Sequence, residues 1–323
     1  MLKKRRLGKA NISVSEIGLG CWELGGLTTI NGIPLTYGNV DSEVASDIIK
    51  TALKLGVNTF DTADSYSLGN SERRLGTTLK ENRSEVNLFT KAGVIPSFSE
   101  PLPTETDLSY HHLIASIDRS LKRLNTDHVE LFHAHKPPKS ENDLQNIEKA
   151  FNKIKEEGKS LYCGVSIGLD YDIGMELIKR GFIDTIQLYF SLLNFKPIEE
   201  LLPLAKRNGI GIIVAEPLEQ GFLSGKYHLN HSFPKTDIRS ISYSQEQIKK
   251  KIERSRQFQF LSNEKRTMSQ VALAYALSRD EISTCIPGSK STEQTILNVK
   301  AADTHLASDE LKAIEEIQQK WKD

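Results

Sequence analysis

Short apolar runs alternate with amphipathic stretches along almost the whole chain. Apolar positions recur every three or four residues at Val44, Ile48, Ala52 and Leu55, at Leu113, Ile117, Leu121 and Leu124, at Leu144, Ile147, Phe151 and Ile154, and at Ile198, Leu201, Leu202 and Ala205. That spacing predicts helices with one buried face. Around them lie Ile17–Gly20, Thr59–Asp61, Leu88–Lys91, Val129–His135, Tyr162–Ser166, Thr185–Leu188, Gly211–Glu216 and Thr284–Ile286, each short and bounded by polar residues. Strands alternating with helices in this way imply right-handed crossovers and a parallel sheet closed on itself, an α/β fold of the (β/α)8 TIM barrel type. Two further runs, Arg5–Leu7 and Ser13–Ser15, predict an N-terminal β-hairpin cover, and a C-terminal helix is expected to end the chain. Residues 1–323 are read as one domain, because barrels of this kind run to about 250 residues and more as single units.

Two connections break the even spacing, 93–108 after the third strand and 217–244 after the seventh. Long loops after barrel strands shape the mouth. The first, with Pro96, Pro101 and Pro103, is expected to form a lid or substrate wall rather than an idle surface insertion.

Composition narrows the class. Charged residues make up 26% and balance at 42 basic against 42 acidic, so no overall field draws nucleic acid or an anionic membrane. Cys21, Cys163 and Cys285 are odd in number and each lies in or beside an apolar run, which reads as reduced core thiols in a cytoplasmic protein. The basic start, MLKKRRLGKANISVSE, has no apolar segment of a secretory signal, and no apolar run approaches the ~20 residues of a membrane span.

Polar, titratable residues stand where the predicted strands stop: Asp61, then Tyr66, then Lys91 and His135. A barrel brings such residues together on one face. A tyrosine titrates near ~10, and a lysine ammonium about 4 Å away at an effective dielectric of about 20 favours the phenolate by roughly 4 kcal/mol. Lys91 is expected to supply that cation, Asp61 to hold it charged and aimed, Tyr66 to act as general acid, and His135 to orient a substrate oxygen. Such a site donates a proton to an oxygen gaining negative charge, as in carbonyl reduction. Taken singly, each residue has an ordinary reading as a turn, surface or solvated side chain. The set is what points to chemistry.

From end to end the chain resembles an aldo-keto reductase. The matching segments are GLGCWELGG (18–26), NTFDTADSYSLGNSERRLG (58–76), LFTKAG (88–93), ELFHAH (130–135), GVS (164–166), Gln187, EPLEQGFLSGKY (216–227) and IPGSKSTEQTILN (286–298). The resemblance implies a catalytic tetrad of Asp61, Tyr66, Lys91 and His135 and a nicotinamide cofactor, NADPH with NADH not excluded. Ser166 and Gln187 would hold the carboxamide. The segment containing Pro217, Leu218, Gly221, Leu223, Gly225 and Lys226 would hold the pyrophosphate; its glycines permit close backbone approach and Lys226 offers charge. Gly288, Ser289, Lys290, Gln294 and Asn298 would hold the adenosine end, where free amides at a helix entrance suit an anion. Lys290, the only cation in that loop, is expected at a 2′-phosphate.

The chain departs from the family pattern at the nicotinamide end. Ile167 replaces an asparagine and cannot hydrogen-bond an amide, and Ala215 and Glu216 stand where members place an aromatic or an arginine. One lost neutral hydrogen bond costs about 1 kcal/mol, which a dinucleotide with many contacts absorbs. The expected substrate is a small carbonyl compound or alcohol, with Trp22 and Arg239 at the mouth. Alternatives are a cofactor-binding regulatory subunit with little turnover and a redox-neutral lyase or epimerase holding its nicotinamide tightly. A metal site on His133 and His135 is disfavoured because strands five to eight carry no histidine; His133 is expected below the site, and His111 and His112 on the surface.

Overall fold

A computed structural model describes residues 2–97 and 104–321. Eight parallel strands form one sheet: β1 (Leu19–Gly20), β2 (Thr59–Asp61), β3 (Asn87–Ala92), β4 (Val129–Ala134), β5 (Ser160–Gly168), β6 (Thr185–Tyr189), β7 (Gly211–Ala215) and β8 (Ile282–Cys285). Each pairs with its neighbour in chain order. The two edges then meet. Ile17 pairs with Cys285 and Gly20 with Gly288, with the amides of Gly18 and Gly20 donating to the carbonyls of Cys285 (2.8 Å) and Pro287 (3.0 Å). The fold is an α/β barrel, as expected, with every predicted strand present within two residues of its expected bounds.

Period-two alternation divides the strand side chains. Outward residues such as Phe60, Phe132 and Ile186 join the main core with the helix faces, including Leu113, Ile117, Leu121 and Leu124 of helix Tyr110–Leu124. Inward residues Phe89, Leu131 and Ile213 form a second cluster with Leu7, Ala10 and Val14. Those last three belong to an antiparallel hairpin, Lys4–Arg6 with Ser13–Ser15. It hydrogen-bonds Asn58 and Gly209, just before β2 and β7. The catalytic candidates on β2, β3 and β4 therefore lie at the opposite end of the barrel. Helix Ser308–Gln319 follows β8, its Gln318 amide donating to the Leu192 carbonyl at 3.0 Å.

Several details differ from expectation. Helix Ser42–Lys54 buries Ala45, Ile48, Ile49 and Ala52 and leaves Val44 exposed. The connection after β1 is also long. It carries a two-stranded ribbon, Thr29–Ile30 with Ile33–Pro34, turned by Asn31 and Gly32 at φ 52° and 76°, the positive-φ pair of a type I′ turn. The 93–108 loop begins and ends as a ribbon, Val94–Pro96 with Thr104–Thr106; Pro101 and Pro103 lie outside the described residues. The 217–244 segment contains a 3₁₀ turn, Glu219–Ser224, and one helical turn, Arg239–Ser242, and is followed by helix Gln245–Arg256. All three cysteines are buried and free. Among the described residues no helix is long and apolar enough to cross a membrane.

Barrel closure leaves no room at Gly20, where a Cβ would stand 2.7 Å from the Ile286 carbonyl oxygen. Gly20→Ala is expected to destabilise the protein by about 1–3 kcal/mol, read as a lowered denaturant midpoint, by forcing β1 from β8.

Candidate active site

The site is built on a buried ion pair. Asp61 ends β2 and Lys91 is the last but one residue of β3, so period-two geometry points both into the barrel. The Lys91 ammonium lies 2.5 Å from Asp61 Oδ2 and also donates to the Thr62 carbonyl at 2.7 Å. Gln187, on β6, donates from Nε2 to Asp61 Oδ1 at 2.9 Å, and the Ser166 hydroxyl on β5 reaches Gln187 Oε1 at 3.4 Å. Burial raises the Asp61 carboxyl above its ordinary value, against the opposing pull of Lys91 and Gln187.

Tyr66 sits above this pair in a tight turn whose Ser67 and Leu68 take φ 48° and 54°. Its ring is tilted against Trp22 (6.2 Å) and edge-on to His135 (5.5 Å), with Lys91 Nζ 5.2 Å from its centre. The structure thus brings Asp61, Tyr66, Lys91, His135 and Trp22 together. It does not support a lowered phenol pKa. Burial pushes Tyr66 well above its ordinary value, and the negative charges of Asp61, Glu23 and Glu216 push the same way. At neutral pH Tyr66 is a protonated phenol with a proton to give. Burial, with Lys91, Lys136 and His133 nearby, holds His135 well below the usual imidazole range, so it too is uncharged. Ser65 Oγ lies 3.4 Å from its Nδ1. His133 is fully buried beneath, its Nε2 2.7 Å from Thr185 Oγ1, in space that a side chain at Gly164 would fill. His111 is exposed, whereas His112 is half-buried with Nδ1 3.6 Å from Asp107. Among the described residues no His, Cys, Asp or Glu side chains gather in threes as for a metal ion.

The strap after β7 and the loop after β8, the segments expected to hold the dinucleotide, flank the seam where β8 meets β1. Gly221 and Gly225 take φ 90° and 75° in the strap after β7, with Pro217 buried and Leu218 half-buried beside them. Lys226 is exposed, its Nζ 5.0 Å from the Tyr227 ring centre. The Leu223 side chain lies in the main core and its amide donates to the Leu218 carbonyl. On the β8 side, Asn298 donates to Ser289 Oγ (3.2 Å) and the Gly288 carbonyl (3.3 Å). The Lys290 ammonium donates to the Tyr37 carbonyl (2.9 Å), and Gln294 accepts from the Lys290 amide (2.9 Å). Two lysines, a hydroxyl, side-chain amides and glycine backbone are the donor set that a dinucleotide's phosphates and adenosine require, so the residues fit that group.

Arg239 departs from expectation. It is buried, forks onto Asp237 (2.9 and 2.6 Å), donates to the Gln220 carbonyl and the Tyr227 hydroxyl, and packs over the rings of Tyr37 and Phe233. Four of its five N–H donors are spent within the chain, so it acts as a clamp on the strap rather than a receptor for a substrate anion. Ile167 also differs: strand alternation puts it, with Cys163 and Val165, on the outer face of β5 and into the main core, against Gly174 of helix Tyr171–Arg180.

Two acidic groups here, Glu219 and Glu23, carry no signal in the sequence, and Glu216 stands out there only as a departure from the family pattern. Glu219 is buried, accepting from Ser191 (2.7 Å), Asn194 and Lys251 (2.9 Å), which ties the strap to β6 and to helix Gln245–Arg256. The Glu23 carboxylate presses on Gly288, and Glu216 is held by the Gln220 amide at 3.0 and 3.1 Å. Glu23 lies within the quoted GLGCWELGG segment, but nothing in the sequence aims it at residue 288.

Comparison with known proteins agrees with this geometry. The family model described as the aldo/keto reductase family matches residues 16–319. A putative voltage-gated potassium channel subunit beta of Schizosaccharomyces pombe is 34% identical, over 97% of this chain and 92% of that protein. The NADH-specific methylglyoxal reductase of Escherichia coli is 30% identical over 95% of each chain. The holo form of an aldo-keto reductase from Bacillus halodurans superimposes with a TM-score of 0.80 at 28% identity, over 98% of this chain and 96% of that one. With its family model matched almost throughout and its tetrad assembled at one end of the barrel, the chain belongs to the aldo/keto reductase family of oxidoreductases.

Proposed function

We propose that this protein interconverts an aldehyde, ketone or sugar-like carbonyl and its alcohol, using NADPH in preference to NADH, with Tyr66 as the proton donor to the carbonyl oxygen. The observation that carries this reading is the Lys91–Asp61 pair, hydrogen-bonded to Gln187 and set beneath the neutral phenol of Tyr66. A bound nicotinamide supplies the hydride. His135, uncharged, orients the substrate oxygen toward the phenol. Ser166 and Gln187 face the carboxamide. The strap from Pro217 through Lys226 and the loop from Gly288 through Lys290, with Gln294 and Asn298, take the rest of the dinucleotide, Lys290 meeting the 2′-phosphate. Trp22 forms one wall of the mouth. In this reading the hairpin covers the far end of the barrel, which leaves the tetrad end as the entrance, and the three buried thiols suit a cytoplasmic enzyme. A cofactor-binding regulatory subunit with little turnover, the alternative that the sequence also offered, would have no need of an intact tetrad.

Mixing the protein with NADPH and a panel of aldehydes, ketones and sugars, and following nicotinamide absorbance, tests the proposal. Tyr66→Phe is expected to lower kcat by about 10²–10⁴-fold while dinucleotide affinity is retained. Turnover indifferent to Tyr66→Phe would refute the proton-donor role. Asp61→Asn leaves the Lys91 ammonium buried without its counter-charge and is expected to cost on the order of 3 kcal/mol of stability in denaturant unfolding. Lys290→Ala is expected to weaken NADPH by on the order of tenfold and NADH little, seen as a change in the ratio of their Kd values.

A further inference from the structure

Two carboxylates that proton transfer to the substrate does not use stand beside the segments assigned to the dinucleotide, one against Gly288 and one at the start of the strap. Glu23, after β1, sits with both carboxylate oxygens so close to Gly288 that a Cβ there would fall 2.3 and 2.4 Å from them. Gly288 belongs to the loop assigned to the dinucleotide. Glu216, after β7, takes φ 51° and is held by Gln220, the strap residue next to Gly221. Of the cations nearby, Arg239 is paired with Asp237, Lys251 with Glu219 and Lys91 with Asp61, whereas Lys290 donates to a backbone carbonyl and Lys226 is exposed. A dinucleotide brings its own negative charge into this space.

We propose that Glu23 and Glu216 make dinucleotide binding proton-coupled: the phosphates enter only as these carboxylates take up protons, so that affinity falls as the solution becomes alkaline. This rests on the reading of these segments as the dinucleotide site, but not on any turnover. Burial raises each carboxyl to about 7, where small changes in solution pH decide its charge. Glu23 faces Lys290 and Arg239, whose charges pull its value down. Glu216 faces Glu219 of its own strap, Lys251 of helix Gln245–Arg256, Glu23, and the phenols of Tyr37, Tyr66, Tyr189 and Tyr243, and Glu219 outweighs Lys251. An incoming phosphate adds to the like charge on both. The sign follows: the bound form holds more protons than the free form near pH 7, so binding weakens as pH rises. Asp64 is also raised to about 7, but it faces Glu72, Arg119 and Arg123 instead of the strap.

The experiment is titration calorimetry of the full-length protein with NADH, in two buffers of different ionisation enthalpy, at about pH 6 and about pH 8. NADH is the probe because it lacks the phosphate monoester of NADPH, which itself titrates near ~6. The expected result is uptake of between about one and two protons per NADH at the higher pH, with Kd rising by up to about tenfold per pH unit for each proton coupled. Glu216→Gln and Glu23→Gln are each expected to remove part of the uptake and flatten the pH dependence. NADH binding with no proton uptake and an unchanged Kd overturns the coupling and leaves the dinucleotide reading intact. No binding of NADH or NADPH at either pH overturns that reading and the coupling with it.

Discussion

The pairing of Lys91 with Asp61 is the constraint around which the interior of this barrel is arranged. Neither charge is tolerable alone in a space closed to water, and a buried pair holds only when its remaining hydrogen-bonding capacity is also met. Thr62 and Gln187 meet it here, so residues from β2, β3 and β6 are locked to one another across the barrel. Ser166 extends the chain of contacts to β5. Below this layer Phe89, Leu131 and Ile213 fill the interior with hydrocarbon, and the hairpin adds Leu7, Ala10 and Val14 from the far side. The reactive groups stand on a packed floor, and their geometry follows from strand register rather than from the loops.

The loops face a different problem, because several depend on backbone conformations that L-residues adopt at a cost. Glu216, Glu219 and Gln220 have φ near 50°, each worth about 1–2 kcal/mol against a relaxed residue. Side-chain contacts hold them: Glu219 on Ser191, Asn194 and Lys251, Glu216 on Gln220, and the Arg239 guanidinium on the Gln220 carbonyl. The strap is therefore shaped before any ligand arrives. Its side chains bring like charges close together as a result, and that crowding adds to the burial that raises the Glu216 carboxyl.

Much of this was legible in the sequence, and the failures have physical causes. The strands could be read because each is a short apolar run between polar residues, and the tetrad because its members fall at the ends of three of them or just beyond. Helix Met268–Leu277 escaped notice because it is buried on nearly every side and so shows no amphipathic period. The direction of the Tyr66 shift was misjudged by weighing one lysine in isolation: desolvation and the negative charge of Asp61 depend on depth, which a sequence does not display. Arg239 invited a substrate role because Tyr37, Tyr227 and Phe233, its ring partners, are distant or unremarkable in the chain. Ile167 was placed in the site by likeness to a motif, whereas period-two alternation puts it on the outer face of β5 with Cys163 and Val165.

The seam between β1 and β8 carries a consequence for how the molecule is made. The backbone at 17–20 waits for partners at 285–288, at the end of the last barrel strand and just beyond it. Until that strand leaves the ribosome, both edges of the nascent sheet stand open to pair with other chains, and the hazard lasts while the strands between are made. The contact of Glu23 with Gly288 straddles the same seam, so that side of the candidate site takes shape only once β8 is in place.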